Sequence, residues 1–196
     1  WDLYEGIAEL DPPVEDLGYA NQDPHSRRLI DACDSHKFDI TRETVRRARQ
    51  GYFANISYID DKMGDLLETL RTTRMLDNTI VLFTSDHGDM LGERGLWFKM
   101  SFFEGSARVP LMVAGPGVTP RLVNEPVSTL DINPTLADLA GIDIGEILPW
   151  TDGESLVSLM QGGKRTTPVL MEYTVEGSQA PLVCIREGDW KFSHCE

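Results

Sequence analysis

The clearest chemical signal in the sequence is an acidic residue next to a histidine, followed by a glycine-rich stretch and a lysine. Asp86 and His87 offer a carboxylate oxygen and an imidazole nitrogen, which together can bind one divalent cation. Lys99 ends the stretch with a compact ammonium group suited to an anionic oxygen. Three glycines between them allow tight turns and close approach to a ligand: Gly88, Gly92 and Gly95. These residue types predict a site in which a cation and an ammonium group hold one anion.

The residues before Asp86 indicate the kind of fold that would carry this site. Residues 79–84 form a continuous apolar run rich in β-branched side chains, which predicts a strand covered on both faces, as in parallel sheets flanked by helices. Asp86 and His87 would follow the carboxyl end of that strand, where open α/β sheets bind their ligands. By itself an Asp–His pair is also typical of a helix cap beside a hydrogen-bonded histidine. The combination with the glycines and Lys99 favours the ligand site.

Periodic patterns predict the elements around this strand. Thr41 is typical of a helix N-cap, and apolar residues then recur at three- and four-residue steps as far as Leu70. This spacing predicts a helix of about eight turns whose apolar face packs against a flat surface. Helices are also predicted at 27–33, 129–140 and 155–160, and strands at 109–114, 169–173, 182–186 and 190–192. The order predicts an α/β fold with a small antiparallel sheet at its end.

The net charge of −14 excludes one large class of partners. Nucleic acids require clustered Lys and Arg, so none is expected to bind here. The one basic cluster lies on the predicted long helix, where a solvated face is expected: Arg42, Arg46, Arg47 and Arg49. The acidic excess favours solubility first, and it also fits a cation site or a cationic substrate.

Membrane insertion and a disulfide framework are not expected either. No apolar run approaches the roughly 20 residues that span a bilayer. The three cysteines, Cys33, Cys184 and Cys195, form no C-x-x-C pair and cannot all pair with one another. An odd count favours a reducing compartment, so a cytoplasmic protein is predicted.

Several motifs resemble the sulfatases of the alkaline-phosphatase-like superfamily. The resemblance begins with Thr84-Ser85-Asp86-His87-Gly88, then Leu91-Gly92-Glu93-x-Gly95 and Lys99. It continues in the same order through Arg108-Val109-Pro110-Leu111, Asp131-Ile132-x-Pro134-Thr135 and Asp152-Gly153-x-Ser155-Leu156. Residues 92–104, 171–173 and 176–181 are similar to the choline-sulfatase branch in particular. The similarity runs from Tyr52 to Trp190, which is most of the chain.

The resemblance implies a fold and a division of the chain. It implies the C-terminal half of an alkaline-phosphatase-like sandwich, a mixed sheet flanked by helices, with a small C-terminal antiparallel sheet. Residues 1–40 would be an irregular Asp- and Pro-rich segment. Residues 41–165 would be the C-terminal part of the sulfatase α/β domain, and residues 166–196 the start of the small C-terminal subdomain.

The resemblance also implies roles for the site residues. Asp86 and His87 correspond to two metal ligands, and the metal is usually calcium in this family. Many sulfatases have Asn at the second position, so His87 is a departure that choline-sulfatases share, and the imidazole leaves Mg²⁺ or Mn²⁺ open. Lys99 corresponds to the catalytic lysine that contacts the sulfate group.

One essential part of a sulfatase site has no counterpart in the sequence. Sulfatases attack with a formylglycine made from the first residue of a C-x-P-x-R or S-x-P-x-R motif, and no such motif occurs here. The paired aspartates that complete the metal shell are missing too. The chain is therefore expected to lack an N-terminal half, to be inactive alone, and to associate either with that half or with itself.

The expected reaction is hydrolysis of a small sulfate ester, with choline sulfate giving choline and sulfate. A quaternary ammonium group is held by aromatic faces and carboxylates, which Trp97, Tyr173, Glu172 and Glu176 offer. Core packing of Trp97 and a solvated turn at Glu176 are equally open. An arylsulfatase or a phosphonate monoester hydrolase of the same superfamily is the first alternative. The second is a non-catalytic half-fold that binds a metal or a partner.

Overall fold

The computed structural model describes residues 2–147, 149–174 and 180–195. Contacts divide the described chain into two units, one up to Pro116 and the other from Gly117 onward. The domain boundaries predicted at residues 40 and 165 stay predictions.

Two helices form the first part of the first unit. Helix α1, Pro24–Ala32, begins at Asp23, whose carboxylate accepts hydrogen bonds from the backbone N–H groups of His25 and Ser26. Helix α2, Arg42–Thr72, begins at Thr41, whose side chain accepts from the Thr44 N–H. The predicted long helix is therefore confirmed, with 31 residues. The shorter helix begins three residues earlier than predicted, because the Asp23 cap and Pro24 in the first turn fix its start.

The apolar face of α2 is left largely uncovered within the described residues. Its members Ile56, Ile59, Leu66 and Leu67 are between 38% and 50% exposed. Arg49 is the only buried residue of α2. The flat surface expected against this face is therefore not supplied by the described part of the first unit.

Strands β1 and β4 form an antiparallel pair. Strand β1, Val81–Thr84, pairs in register from Val81↔Ala114 to Thr84↔Leu111 with β4, Leu111–Ala114. Both strands lie where the apolar runs predicted them. The expectation of a fully covered strand with parallel neighbours was wrong for the described residues, since all four residues of β1 are half-buried and its described partner runs antiparallel.

A short hairpin and a helical turn lie between these two strands. Strand β2, Met90–Leu91, pairs with β3, Trp97–Phe98, and helix α3, Glu104–Ala107, follows. A small core lies beneath them: Ile30, Met90 and Leu96 are buried together, and Phe103 packs against them.

In the second unit, the described residues form three helices and a sheet. A 3₁₀ turn at Thr129–Asp131 leads into α4, Ile132–Leu139, followed by α5, Ile144–Ile147, and α6, Val157–Met160. The strands β5, Val169–Tyr173, β6, Leu182–Glu187, and β7, Trp190–Cys195, form an antiparallel sheet in the order β5-β6-β7. The antiparallel sheet predicted for this end of the chain is confirmed.

Asp131 connects two motifs of this unit that lie far apart in the sequence. Its fully buried carboxylate accepts from the backbone N–H of Ser128 at 2.7 Å and of Glu154 at 2.8 Å, and pairs with Arg165 at 2.6 Å. A Cβ at Gly153 would lie 2.1 Å from the Leu130 carbonyl oxygen. The Asp131 and Gly153 motifs therefore pack against each other and have a structural role.

Candidate active site

Asp86 and His87 lie together just beyond the end of β1. Asp86 Oδ2 is 3.4 Å from His87 Nε2, and the Asp86 side chain is 84% exposed. The backbone N–H of His87 donates to Asp86 Oδ1 at 3.0 Å. This hydrogen bond holds the pKa of the Asp86 carboxyl below its usual range, so the carboxylate is ionised at neutral pH.

The contact at Nδ1 indicates which nitrogen of His87 would offer a lone pair to a metal ion when the ring holds a single proton. His87 Nδ1 lies 2.9 Å from the Gly88 carbonyl oxygen. A carbonyl only accepts, so Nδ1 carries the proton and Nε2 has a lone pair. Two lone-pair atoms, Nε2 and Asp86 Oδ2, then face each other at 3.4 Å. That separation lets both reach one cation at ligand distances of about 2.0–2.6 Å.

Asp86 and His87 alone would supply only part of the ligands of a metal ion. Among the described residues, no third His, Cys, Asp or Glu joins Asp86 and His87 in a cluster that could hold a metal ion. Divalent cations of the expected kinds take about six to eight ligands. The two donors therefore fit a divalent cation in type and separation and leave most of its ligand positions to other groups.

Lys99 follows the β2–β3 hairpin at a strained point of the backbone. Its side chain is exposed, and no ion pair to its ammonium group is found among the described residues. Phe98, just before it, has a φ of 65°, a conformation that costs a bulky residue about 1–3 kcal/mol. The surrounding contacts must therefore hold this turn in place.

Ser106 of α3 links the lysine turn to the Asp–His pair. The Ser106 carbonyl oxygen accepts from the Gly88 N–H at 2.8 Å, and the Ser106 hydroxyl donates to the Lys99 carbonyl oxygen. A Cβ at Gly88 would lie 2.2 Å from the Gly105 carbonyl oxygen, so glycine is required for this approach. The structure thus brings the backbone of Lys99 to the loop that carries His87.

A buried ion pair fixes the middle of the glycine-rich stretch. Arg49 of α2 is paired with Glu93 at 2.5 Å, and their side chains are 8% and 17% exposed. The other Glu93 oxygen accepts from the Leu91 N–H at 2.6 Å. The prediction of a solvated basic face was wrong for Arg49, because Glu93 lies against that part of the helix. Arg42 and Arg46 also have a partner, since both pair with Asp11.

Further contacts attach the same stretch to its surroundings. His25 Nε2 lies 2.7 Å from the Met100 carbonyl oxygen, and the Gln22 amide donates to the Arg94 carbonyl oxygen. Tyr52 of α2 contacts Asp89, and burial, with the Asp89 carboxylate adding to it, raises the pKa of the Tyr52 phenol. The residues before 40 and helix α2 therefore both support the site-bearing stretch.

Of the predicted substrate residues, Trp97 lies in the same unit as Asp86 and Lys99, whereas Glu172 and Tyr173 lie in the other unit. Trp97 is half-buried: its ring lies beside Gly92, and the residue lines a very small cavity with Leu29 and Cys33, on the side of α1. These contacts favour the packing role that the sequence left open. Glu172 is exposed and Tyr173 half-buried on β5 in the second unit, whereas Glu176 lies outside the described residues.

Three supporting residues gave no signal in the sequence. Arg49 looked like one of four similar arginines, and Ser106 and His25 belong to no recognisable motif. Their roles depend on backbone carbonyls and carboxylates that only the folded chain brings near. The glycine at position 88 was a usable signal, because its close approach to α3 requires a missing Cβ.

Comparison with known proteins decides the family. Residues 18–142 match the Sulfatase family, and residues 92–194 match the family described as N-sulphoglucosamine sulphohydrolase, C-terminal. The first match covers more than half of the chain. The chain belongs to the sulfatase family.

Individual sulfatases and related enzymes are similar over most of this chain. A choline-sulfatase from Rhizobium meliloti (strain 1021) is 63% identical over 195 residues, which is 100% of this chain and 38% of that protein. An arylsulfatase K from Danio rerio is 44% identical over 170 residues, 82% of this chain and 31% of that protein. This sulfatase chain therefore spans well under half of the length of the relatives it matches.

A solved structure confirms the fold of this sulfatase chain. A phosphonate monoester hydrolase from Silicibacter pomeroyi superposes with a TM-score of 0.83 at 21% identity, covering 98% of this chain and 44% of that one. The predicted α/β class and alkaline-phosphatase-like fold are confirmed. Separately, the helices of the described residues include none with the length and apolar character to cross a membrane.

Proposed function

We propose that this chain is part of an enzyme that hydrolyses a small sulfate ester, choline sulfate in particular. The observation that supports this most directly is the Asp86–His87 pair, with two lone-pair atoms 3.4 Å apart at the end of β1. The 63% identity to a choline-sulfatase over the whole chain favours that substrate over other sulfate esters. A lysine attached to the same loop supports an anionic substrate.

Each residue has a defined task in the proposed reaction. Asp86 Oδ2 and His87 Nε2 would hold a divalent cation, which we take to be Ca²⁺ with Mg²⁺ or Mn²⁺ as alternatives. When bound, such an ion would supply Lewis-acid chemistry toward the sulfate oxygens. The Lys99 ammonium group stabilises the negative charge that grows on those oxygens. One such electrostatic contact lowers the barrier by about 2.7–4 kcal/mol.

The nucleophile and the remaining metal ligands come from outside this chain. The sequence contains no C-x-P-x-R or S-x-P-x-R motif from which a formylglycine could form. The chain alone is therefore inactive and requires the remaining part of the enzyme. No disulfide joins the three cysteines in the described part of the chain, which is compatible with a reducing compartment, and we place the enzyme in the cytoplasm.

The choline group requires a separate contact surface. Glu176 is the candidate carboxylate that the sequence offers for it. Trp97 is a weaker candidate, because its described contacts are with Gly92 and the cavity beside α1.

A chimeric enzyme tests this proposal. In it, this chain replaces the matching segment of the Rhizobium meliloti choline-sulfatase, which the 63% identity makes feasible. The chimera is assayed with choline sulfate, an aryl sulfate and a phosphonate monoester, with and without a chelator. We expect choline sulfate to be the preferred substrate and the chelator to abolish activity. Asp86→Ala, His87→Ala and Lys99→Met should each lower kcat/KM by about 100-fold or more.

The substrate panel separates the competing functions. Preference for the aryl sulfate would replace choline sulfate by the arylsulfatase alternative, and preference for the phosphonate would indicate the phosphonate monoester hydrolase. Unchanged activity in the Asp86, His87 and Lys99 variants would leave only a non-catalytic role for this chain. Glu176→Gln should raise KM for choline sulfate and leave KM for the aryl sulfate unchanged; an equal rise for both would remove Glu176 from the choline site.

A further inference from the structure

Ser106 occupies a buried position between the two parts of the proposed site. It is 4% exposed, and it lies in α3, between the loop of His87 and the turn of Lys99. Its carbonyl oxygen accepts from the Gly88 N–H at 2.8 Å, one residue from His87. Its hydroxyl donates to the carbonyl oxygen of Lys99 itself. One residue thus joins the backbone of the metal-ligand loop to the backbone of the lysine.

The lysine turn needs such a restraint. Phe98 holds a left-handed conformation, with φ at 65°, and the Lys99 side chain is exposed with no ion pair among the described residues to orient it. The next carbonyl, that of Met100, is held by the buried His25 ring at 2.7 Å. Two consecutive carbonyls are therefore fixed by side chains from two different helices.

The two restraints differ in what they connect. His25 connects the turn to α1 through the Met100 carbonyl oxygen. Ser106 ties the turn to Gly88, so of these two restraints it is the one that relates Lys99 to the Asp86–His87 pair through a single residue. A displacement of about 1 Å in a catalytic group can lower a rate about 100-fold.

We propose that Ser106 is a positioning residue that sets the separation between Lys99 and the Asp86–His87 pair, through its two hydrogen bonds. This inference rests on the proposed sulfatase function of Lys99. Ser106 itself does not contact the substrate. Its hydroxyl acts by holding the Lys99 backbone, so its effect on the reaction requires the Lys99 side chain.

A double-mutant cycle in the chimeric enzyme tests the proposal. Ser106→Ala removes the hydroxyl and keeps the backbone bond to Gly88, and the Lys99 carbonyl keeps the Ser101 N–H as a second donor, so the fold should survive. Ser106→Ala is measured alone and together with Lys99→Met. Ser101→Ala is the matched control, because the Ser101 hydroxyl in the same turn finds no hydrogen-bond partner within the described residues. Melting temperatures are recorded for every variant.

We expect Ser106→Ala to lower kcat about 10- to 100-fold with less than a threefold change in KM. In the Lys99→Met background the same change should lower kcat less than twofold, since the group it positions is gone. Ser106→Cys, which retains a weak donor of similar size, should recover part of the loss. Ser101→Ala should match the parent.

The outcomes separate this inference from the function on which it rests. An equal loss from Ser106→Ala in both backgrounds would overturn the positioning role, and so would a loss that follows a lowered melting temperature and is shared by Ser106→Cys. If Lys99→Met leaves kcat unchanged, the proposed function itself fails and this inference fails with it. An active, Lys99-dependent chimera with additive Ser106 effects disproves the inference alone.

Discussion

At the scale of single residues, burial distinguishes side chains that look alike in the sequence. Arg42 and Arg49 lie two turns apart on α2, and each forms an ion pair with a carboxylate. The Arg42 side chain is 78% exposed, so water and salt weaken its attraction to Asp11. Arg49 is 8% exposed against Glu93, and losing one partner would leave the other charge buried. The two arginines should therefore contribute very differently to stability.

Substitution of these arginines by methionine tests that difference. Arg49→Met should lower the free energy of unfolding by about 3–5 kcal/mol, because it leaves the Glu93 carboxylate without its partner. Arg42→Met should lower it by less than about 1 kcal/mol. Urea denaturation followed by tryptophan fluorescence measures both. Equal losses in the two variants would show that Glu93 is solvated and that the ion pair is not a buried one.

The residues of the candidate site differ in whether the sequence alone can identify them. Asp86, His87 and Lys99, whose role in a site stays a prediction, could be selected as candidates because their types, glycine spacing and family motifs are all local in sequence. Arg49, His25 and Ser106 could not, because each acts on a backbone carbonyl or a carboxylate 7 to 75 positions away. Neither periodicity nor a sequence motif indicates such a long-range contact.

At the scale of elements, the positions of helices and strands could be predicted from the sequence, whereas the direction in which strands pair could not. The caps and apolar periodicity gave α2 and α4, and turn residues gave the three C-terminal strands close to their observed bounds. The apolar run of β1 also located the strand, but it could not distinguish a parallel neighbour from the antiparallel β4. An apolar run indicates that a strand is at least partly buried. It does not indicate the direction of the neighbouring strand, because that depends on the rest of the chain.

The contact between α3 and the loop after β1 gives a second prediction. A Cβ at Gly88 would lie 2.2 Å from the Gly105 carbonyl oxygen, so Gly88→Ala must separate the two segments. We expect it to lower the free energy of unfolding by about 1–3 kcal/mol, the usual range for overpacking. Gly64→Ala is the matched control: nothing lies within 4 Å of that Cβ in α2, so it should stabilise by about 0.5–1 kcal/mol. Thermal unfolding measures both variants, and a neutral Gly88→Ala would disprove the close approach.

At the scale of the whole molecule, two features act against each other in solution. The net charge of −14 makes copies of the chain repel one another. The apolar face of α2, formed by Ile56, Ile59, Leu66 and Leu67, is largely uncovered among the described residues and favours association. Salt screens the repulsion and leaves apolar attraction intact, with a Debye length of about 8 Å at physiological ionic strength.

Because of this balance, the isolated chain should self-associate, and more strongly as salt is added. Sedimentation velocity over a series of protein concentrations measures this. Ile59→Glu combined with Leu66→Glu should give a monomer, because both charges lie within the apolar face. Thr69→Glu combined with Thr72→Glu adds the same charge on exposed positions away from that face, so association should persist. Loss of association in both double variants would assign it to net charge alone, and persistence in both would place the contact elsewhere on the chain.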